Sequence, residues 1–111
     1  MIPADKKKYV VESSATLRDA LALIEENRHR SLIVVSDDQS VVGTLSDGDA
    51  RKAMLKGRLL VTPVADVMNT HFIALREQER SKAGEIFQRT HIFLIPVVDD
   101  RSRLVDVIEA Y

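Results

Sequence analysis

Cysteine is absent from this 111-residue chain. Disulfides, thiolate zinc sites, iron–sulfur clusters and cysteine nucleophiles are thereby excluded. Long apolar runs are lacking too. The longest, Ile92 to Val98, contains Pro96 and falls far short of the about 20 residues a membrane helix needs. The stretch from Met1 to Tyr9 is charged, with no apolar segment after it, so it does not read as a secretory signal. The expectation is a cytoplasmic protein with no membrane partner. Nor is there an excess of positive charge: 16 Lys and Arg stand against 17 Asp and Glu. That balance disfavours nucleic acid as the main partner.

Sites of chemistry are equally scarce. His29, His71 and His91 have no metal-ligand spacing between them. Asp47-Gly-Asp49 starts like a calcium loop but lacks the remaining oxygen ligands. Gly43-Thr-Leu-Ser46-Asp-Gly48 is one residue too long for a nucleophile elbow. With no paired base and nucleophile in view, the chain is not expected to be an enzyme by itself.

What is present is an internal repeat. At an offset of 63 residues, Val34-Val35 falls on Val97-Val98, Leu23-Ile24 on Ile86-Phe87, and Val41-Val42 on Leu104-Val105. The alignment runs from Val10, matched to Ile73, through Gly48 without a gap. Identities are few, but the apolar positions coincide. Each half reads as strand, helix, strand, strand. Leu17, Ala20, Leu21 and Ile24 mark one helical face, Thr16 with Asp19 forms a capping signal, and Asn27 is a stop. Ser31 to Val35 is short and β-branched, as a buried strand is. Ser36 to Ser40 is a turn, and Val41 to Leu45 is the next strand. In the second half, Phe72 to Leu75, Phe93 to Val98 and Leu104 to Ile108 are the expected strands, with Ala83, Ile86 and Phe87 on a helix. Pro96 should lie at a sheet edge or irregularity, since it cannot donate to a ladder.

The first half has one more helix, from Ala50, capped by an Asp and stopped by Gly57. The position matching Asp49 falls one past Tyr111. The second copy thus lacks its last helix, and the expectation is a fragment of a longer protein. An apolar face left open there would need another domain or subunit to cover it.

The duplicated β-α-β-β-α pattern, with Gly43-Thr-Leu-Ser-Asp-Gly-Asp49, Pro63-Val-Ala-Asp-Val-Met68 and Pro96-Val-Val-Asp-Asp100, resembles a cystathionine-β-synthase (CBS) domain pair, or Bateman module. The resemblance covers about Lys8 to Ile108. It implies an α/β fold of two pseudo-symmetric motifs, about 8–57 and 64–111, joined by a linker at 58–63. Leu45 to Lys52, Leu55-Lys-Gly57 and Val67-Met-Asn69 are similar to CBS pairs attached to sugar-phosphate nucleotidyltransferases, the favoured parent. They are also similar to those of arabinose-5-phosphate-type sugar isomerases.

The resemblance implies a regulatory module for an attached catalytic domain, self-associated as a homodimer. It would require no cofactor and would bind an adenosine nucleotide (AMP, ADP or ATP). The family stretch Gly-x-x-Ser/Thr-x-x-Asp falls here on Gly43, Ser46 and Asp49. Glycine would let the ligand approach the backbone. Asp49 would accept from ribose hydroxyls, and Ser46 would meet a phosphate. Arg51, His29 and Arg30 would add positive charge, and Val11 and Ile33 would line the base. The same residues also read as an ordinary turn and helix cap. In the second half Asp106 stands at the glycine position and Glu109 at that of Ser46, so at most one competent site is expected. The alternative function is a scaffold for dimerisation that binds no ligand.

Overall fold

A computed structural model describes residues 2–111. After a 3-10 helix at Ala4–Tyr9, the chain forms β1 (Val10–Glu12), α1 (Leu17–Glu26), β2 (Ser31–Val35), β3 (Val41–Ser46) and α2 (Asp47–Leu55). A linker with a 3-10 turn at Val64–Asp66 leads to β4 (Leu75–Arg76), a 3-10 helix at Glu77–Lys82, α3 (Ala83–Arg89), β5 (Leu94–Val98) and β6 (Leu104–Glu109). The strands make two sheets, β1-β2-β3 and β4-β5-β6. In each, the first pair is parallel and the second antiparallel. The expected α/β class is the observed one. Among the described residues no helix is long and apolar enough to cross a membrane.

Side-chain alternation along the strands divides the core. Leu32, Val34 and Leu45 pack with Leu17, Ala20 and Ile24 of α1 and Ala50 of α2. Ile33, Val35 and Val41 instead meet Leu94, Val98, Leu104 and Val107 of the other sheet, with Tyr9 among them. The second sheet's outer face holds Ile95 with Ala83 and Ile86 of α3.

The repeat survives in the hydrogen-bond register. Val34 lies opposite Gly43 and Val97 opposite Asp106, and both ladders slip at the next residue. The first strands break the gapless alignment. Glu12 pairs with Val35, whereas Arg76 pairs with Val98, so Glu12 corresponds to Arg76, one residue further along than the constant offset. Pro96 lies in the central strand of its sheet, opposite Val107 and beside the irregularity between Val97 and Val98, so of the two expected settings it takes the irregularity and not the edge. The ladder between β4 and β5 begins only at Val97, one residue past the missing N–H. This leaves β4 with two residues instead of the expected four.

Both longer helices start on a capping box, Thr16 with Asp19 and Ser46 with Asp49. The cap of α2 is therefore Ser46, where an Asp was expected. Gly57, at φ +94°, donates to the Met54 carbonyl, and Arg58 donates to that of Ala53. These bonds form a Schellman stop. The linker is stitched back onto the first half. Leu17 N–H donates to Thr62, Val64 N–H to Ala15, and Thr44 and Asn69 exchange two backbone bonds. Nothing after β6 corresponds to α2 among the described residues.

Gly43 tests this stitching. A Cβ there would lie 2.7 Å from Met68 Sδ and 3.0 Å from the Asn69 carbonyl oxygen. Gly43→Ala is expected to cost about 1–3 kcal/mol, the usual range for overpacking. A Cβ on Gly84 of α3 meets nothing within 4 Å, so Gly84→Ala should gain about 0.5–1 kcal/mol. Denaturant titration of both variants checks this. Wild-type stability in Gly43→Ala would show that the linker can move away.

Candidate functional site

The junction of β3 and α2 shapes the candidate site. The Ser46 N–H donates to Asp49 Oδ2 at 3.0 Å, and the Asp49 N–H donates to Ser46 Oγ at 3.1 Å. Each side chain spends one function on the cap and keeps another. The serine oxygen accepts, so its hydrogen remains free to donate. Asp49 Oδ1 makes no hydrogen bond among the described residues. Both residues line a cavity of about 280 Å³ between the sheets. Register places Ile33 with Thr44 and Ser31 with Ser46 as opposed pairs, and all four line it. Asn69, His71 and Phe72 of the linker form part of the wall, and His91 and Phe93 come from the approach to β5.

Three of the residues singled out in the sequence meet here: Ile33, Ser46 and Asp49. The others lie elsewhere. Gly43 is one pairing position from Thr44, on the face with Val34, and admits Met68 rather than a ligand. Val11 is buried with α1 behind the sheet. Arg51 is exposed and paired with Asp47. Arg30 points to solvent, 3.9 Å from Glu25. His29 is 2 % exposed, with Nδ1 3.1 Å from the Tyr9 hydroxyl oxygen and Nε2 3.1 Å from the Tyr111 carbonyl oxygen. Its ring is a buried bridge between the halves.

Sequence reasoning passed over Thr44, Asn69, Phe72 and the two cavity histidines. The alternation of β3 could have found Thr44, two positions before Ser46. Asn69 carried no such signal, because its place depends on the backbone exchange with Thr44. A wider groove of about 630 Å³ opens at the two hairpins, but there Lys7 and Arg103 face Glu12, Asp38 and Asp99. That mixture has no preferred charge, and Ser46 and Asp49 do not line it. Among the described residues no group of three His, Cys, Asp or Glu could hold a metal ion.

Comparison with known proteins agrees with this architecture. The family model described as "CBS domain" matches residues 4–56. The crystal structure of a putative acetoin utilization protein (AcuB) from Vibrio cholerae superposes with a TM-score of 0.81 at 26% identity, over 91% of this chain and 76% of that one. The chain carries a CBS domain pair. The CBS pair CBSX2 from Arabidopsis thaliana, solved in complex with AMP, gives a TM-score of 0.76 at 26% identity, over 98% of this chain and 85% of that one. Among curated proteins, arabinose 5-phosphate isomerase GutQ of Salmonella typhi is 38% identical over 79 residues, 69% of this chain and 25% of GutQ. The chain spans a third or less of the length of the curated relatives it matches.

In this CBS pair the pseudo-symmetric counterpart of the cavity is filled by its own side chains. Glu109 stands where Ser46 does in the first half, and by the register of the first strands Tyr9 stands where Ile73 does. Lys6 Nζ donates to Glu109 Oε1 at 2.7 Å and to the Val107 carbonyl at 2.8 Å. The Tyr9 hydroxyl donates to Glu109 Oε2 at 2.5 Å. His29, the counterpart of Ile92, closes the network. Asp106, in the glycine's place, takes a 2.6 Å bond from Arg80.

The network carries a pH signature. Burial, then the bond to Glu109, pushes the Tyr9 hydroxyl up to about 12. An acid raised this way adds stability that is complete below the ordinary tyrosine value near 10 and lost as pH rises from about 10 to 12. The Lys6 bond, then that of Tyr9, holds Glu109 below the usual carboxylate range. Its contribution is present above about pH 4.3 and fades in acid. Tyr9→Phe should remove the alkaline loss of stability and the tyrosinate absorbance step near pH 12. An unchanged alkaline profile in Tyr9→Phe would contradict the assignment.

Proposed function

We propose that this CBS pair is a regulatory module that binds an adenosine nucleotide in the cavity at Ser46 and Asp49 and controls an attached catalytic domain. The observation that carries this reading is the divided use of the capping box. Ser46 and Asp49 hold α2 with one function each and present a hydroxyl donor and a carboxylate acceptor to the same cavity. A carboxylate oxygen suits ribose hydroxyls, and a serine O–H suits a phosphate oxygen. The AMP complex of CBSX2 supports the ligand class. With Glu109 engaged by Lys6 and Tyr9, the module takes one nucleotide per chain. Regulation then requires the ligand to bind two states of the parent protein unequally.

GutQ and its homologues favour a sugar-phosphate isomerase as the attached domain, in place of the nucleotidyltransferase expected from the sequence. A homodimer is supported by Leu55, Leu59 and Val61, apolar side chains that stay exposed at and just after the end of α2. The same patch favours the alternative of a ligand-free scaffold.

A thermal-shift titration with AMP, ADP and ATP separates the two. A ligand at 100 times its Kd adds about 2.7 kcal/mol, roughly 10 °C for a domain of this size. Asp49→Asn keeps an acceptor for the Ser46 N–H but turns an amide donor toward the ligand. It should weaken binding about 10- to 100-fold, the loss of one charged hydrogen bond. Calorimetry should show one site per chain. No shift with any nucleotide at millimolar concentration, with a dimer by size measurement, would establish the scaffold instead.

A further inference from the structure

The cavity's own charge narrows the ligand further. No lysine or arginine lines it; the ionisable groups in its wall are Asp49, His71 and His91. Arg30 and Arg51, the basic residues nearest in sequence to β2 and α2, pair outside it with Glu25 and Asp47. His71 is set by its backbone N–H, which donates to Asn69 Oδ1 at 3.0 Å. Neither imidazole makes a side-chain hydrogen bond or ion pair among the described residues, and both residues are exposed. His71 lies on the linker ahead of β4 and His91 ahead of β5, two neighbouring parallel strands of one sheet. The space, about 280 Å³, lies at the small end of ligand pockets.

Resting on the nucleotide reading above, we infer that His71 and His91 are the phosphate-charge sensors of this site, which selects a nucleoside monophosphate and binds it with uptake of protons. Two imidazolium groups match the two negative charges of a monophosphate and leave a triphosphate undercompensated. Asp49, the one carboxylate in the wall, is directed to the sugar and opposes extra phosphates. Imidazole changes charge between about pH 5 and 8, so a phosphate arriving near neutrality draws protons onto the rings. A phosphate monoester loses its second charge in acid, with a pKa near 6. AMP affinity therefore peaks in weakly acidic solution, while affinity for uncharged adenosine stays flat across the same range.

The test is calorimetry on the full chain with AMP and with adenosine, in two buffers of different ionisation enthalpy at pH 7.5. It compares the wild type with His71→Gln, His91→Gln and the double variant. Because both histidines are exposed, the variants should keep the ligand-free melting temperature. The expected result is proton uptake with AMP and none with adenosine. Each single variant should take up less, and the double variant none, with AMP affinity down about tenfold per histidine and adenosine affinity within about twofold. ATP should bind more weakly than AMP. AMP binding without proton uptake, or with affinity unmoved in the double variant, overturns this inference and leaves the nucleotide site standing. Binding of neither AMP nor adenosine overturns both.

Discussion

The antiparallel register of β2 against β3 is the constraint on which the rest depends. Ser31 opposite Ser46, and Ile33 opposite Thr44, put four side chains of the cavity wall on one face of the sheet. The intervening pairs, Leu32 with Leu45 and Val34 with Gly43, then belong to the helix side. A slip of one residue would exchange the two sets. It would bury the hydroxyls under α1 and place leucines in the cleft. The irregularity after Val34 limits that ordering to the end of the sheet where the cavity lies. Beyond it Val35 and Val41 return to the contact between the sheets.

The two halves use one plan to opposite ends. In the first half the last position of β3 carries a short hydroxyl, and a space remains. In the second the equivalent position carries a glutamate long enough to reach Lys6 and Tyr9. Space suited to a ligand in one copy is occupied by the chain itself in the other. The glycine position shows the same division. Gly43 leaves room for Met68 and Asn69, whereas Asp106 fills its place with an ion pair to Arg80. Such pairs are individually modest near the surface. A half-buried glutamate left without them would lose the charged hydrogen bonds that offset its partial desolvation.

Much of this was legible in the sequence. The periodicity of Leu17, Ala20 and Ile24, the capping signal at Thr16 and the Gly57 stop each report a local rule that the tertiary structure keeps. The repeat disclosed the two-sheet plan because burial acts on both copies alike. The site was less legible. Ser46 and Asp49 stood out because they fall on the Gly-x-x-Ser/Thr-x-x-Asp stretch of the CBS resemblance. Thr44, His71 and His91 join them through the meeting of three segments, and no local signal reports that meeting. Arg30, Arg51 and His29 were drawn to the site by charge and proximity in sequence. In the fold, ion pairs turn the two arginines outward, and His29 finds better partners in Tyr9 and Tyr111. Pro96 was expected at an edge or an irregularity, and it sits in a central strand beside the irregularity of its ladder. A central strand tolerates proline where its neighbour is too short to need the bond.

The Lys6 and Tyr9 contacts to Glu109 join residues a hundred or more apart in the chain. Closing so long a loop has an entropic cost that the contact can repay only after both sheets exist. Long-range closure of this kind slows folding relative to a string of independent halves. Because Lys6 and Tyr9 belong to the first half and Glu109 to the second, the network ties the stability of each motif to the presence of the other.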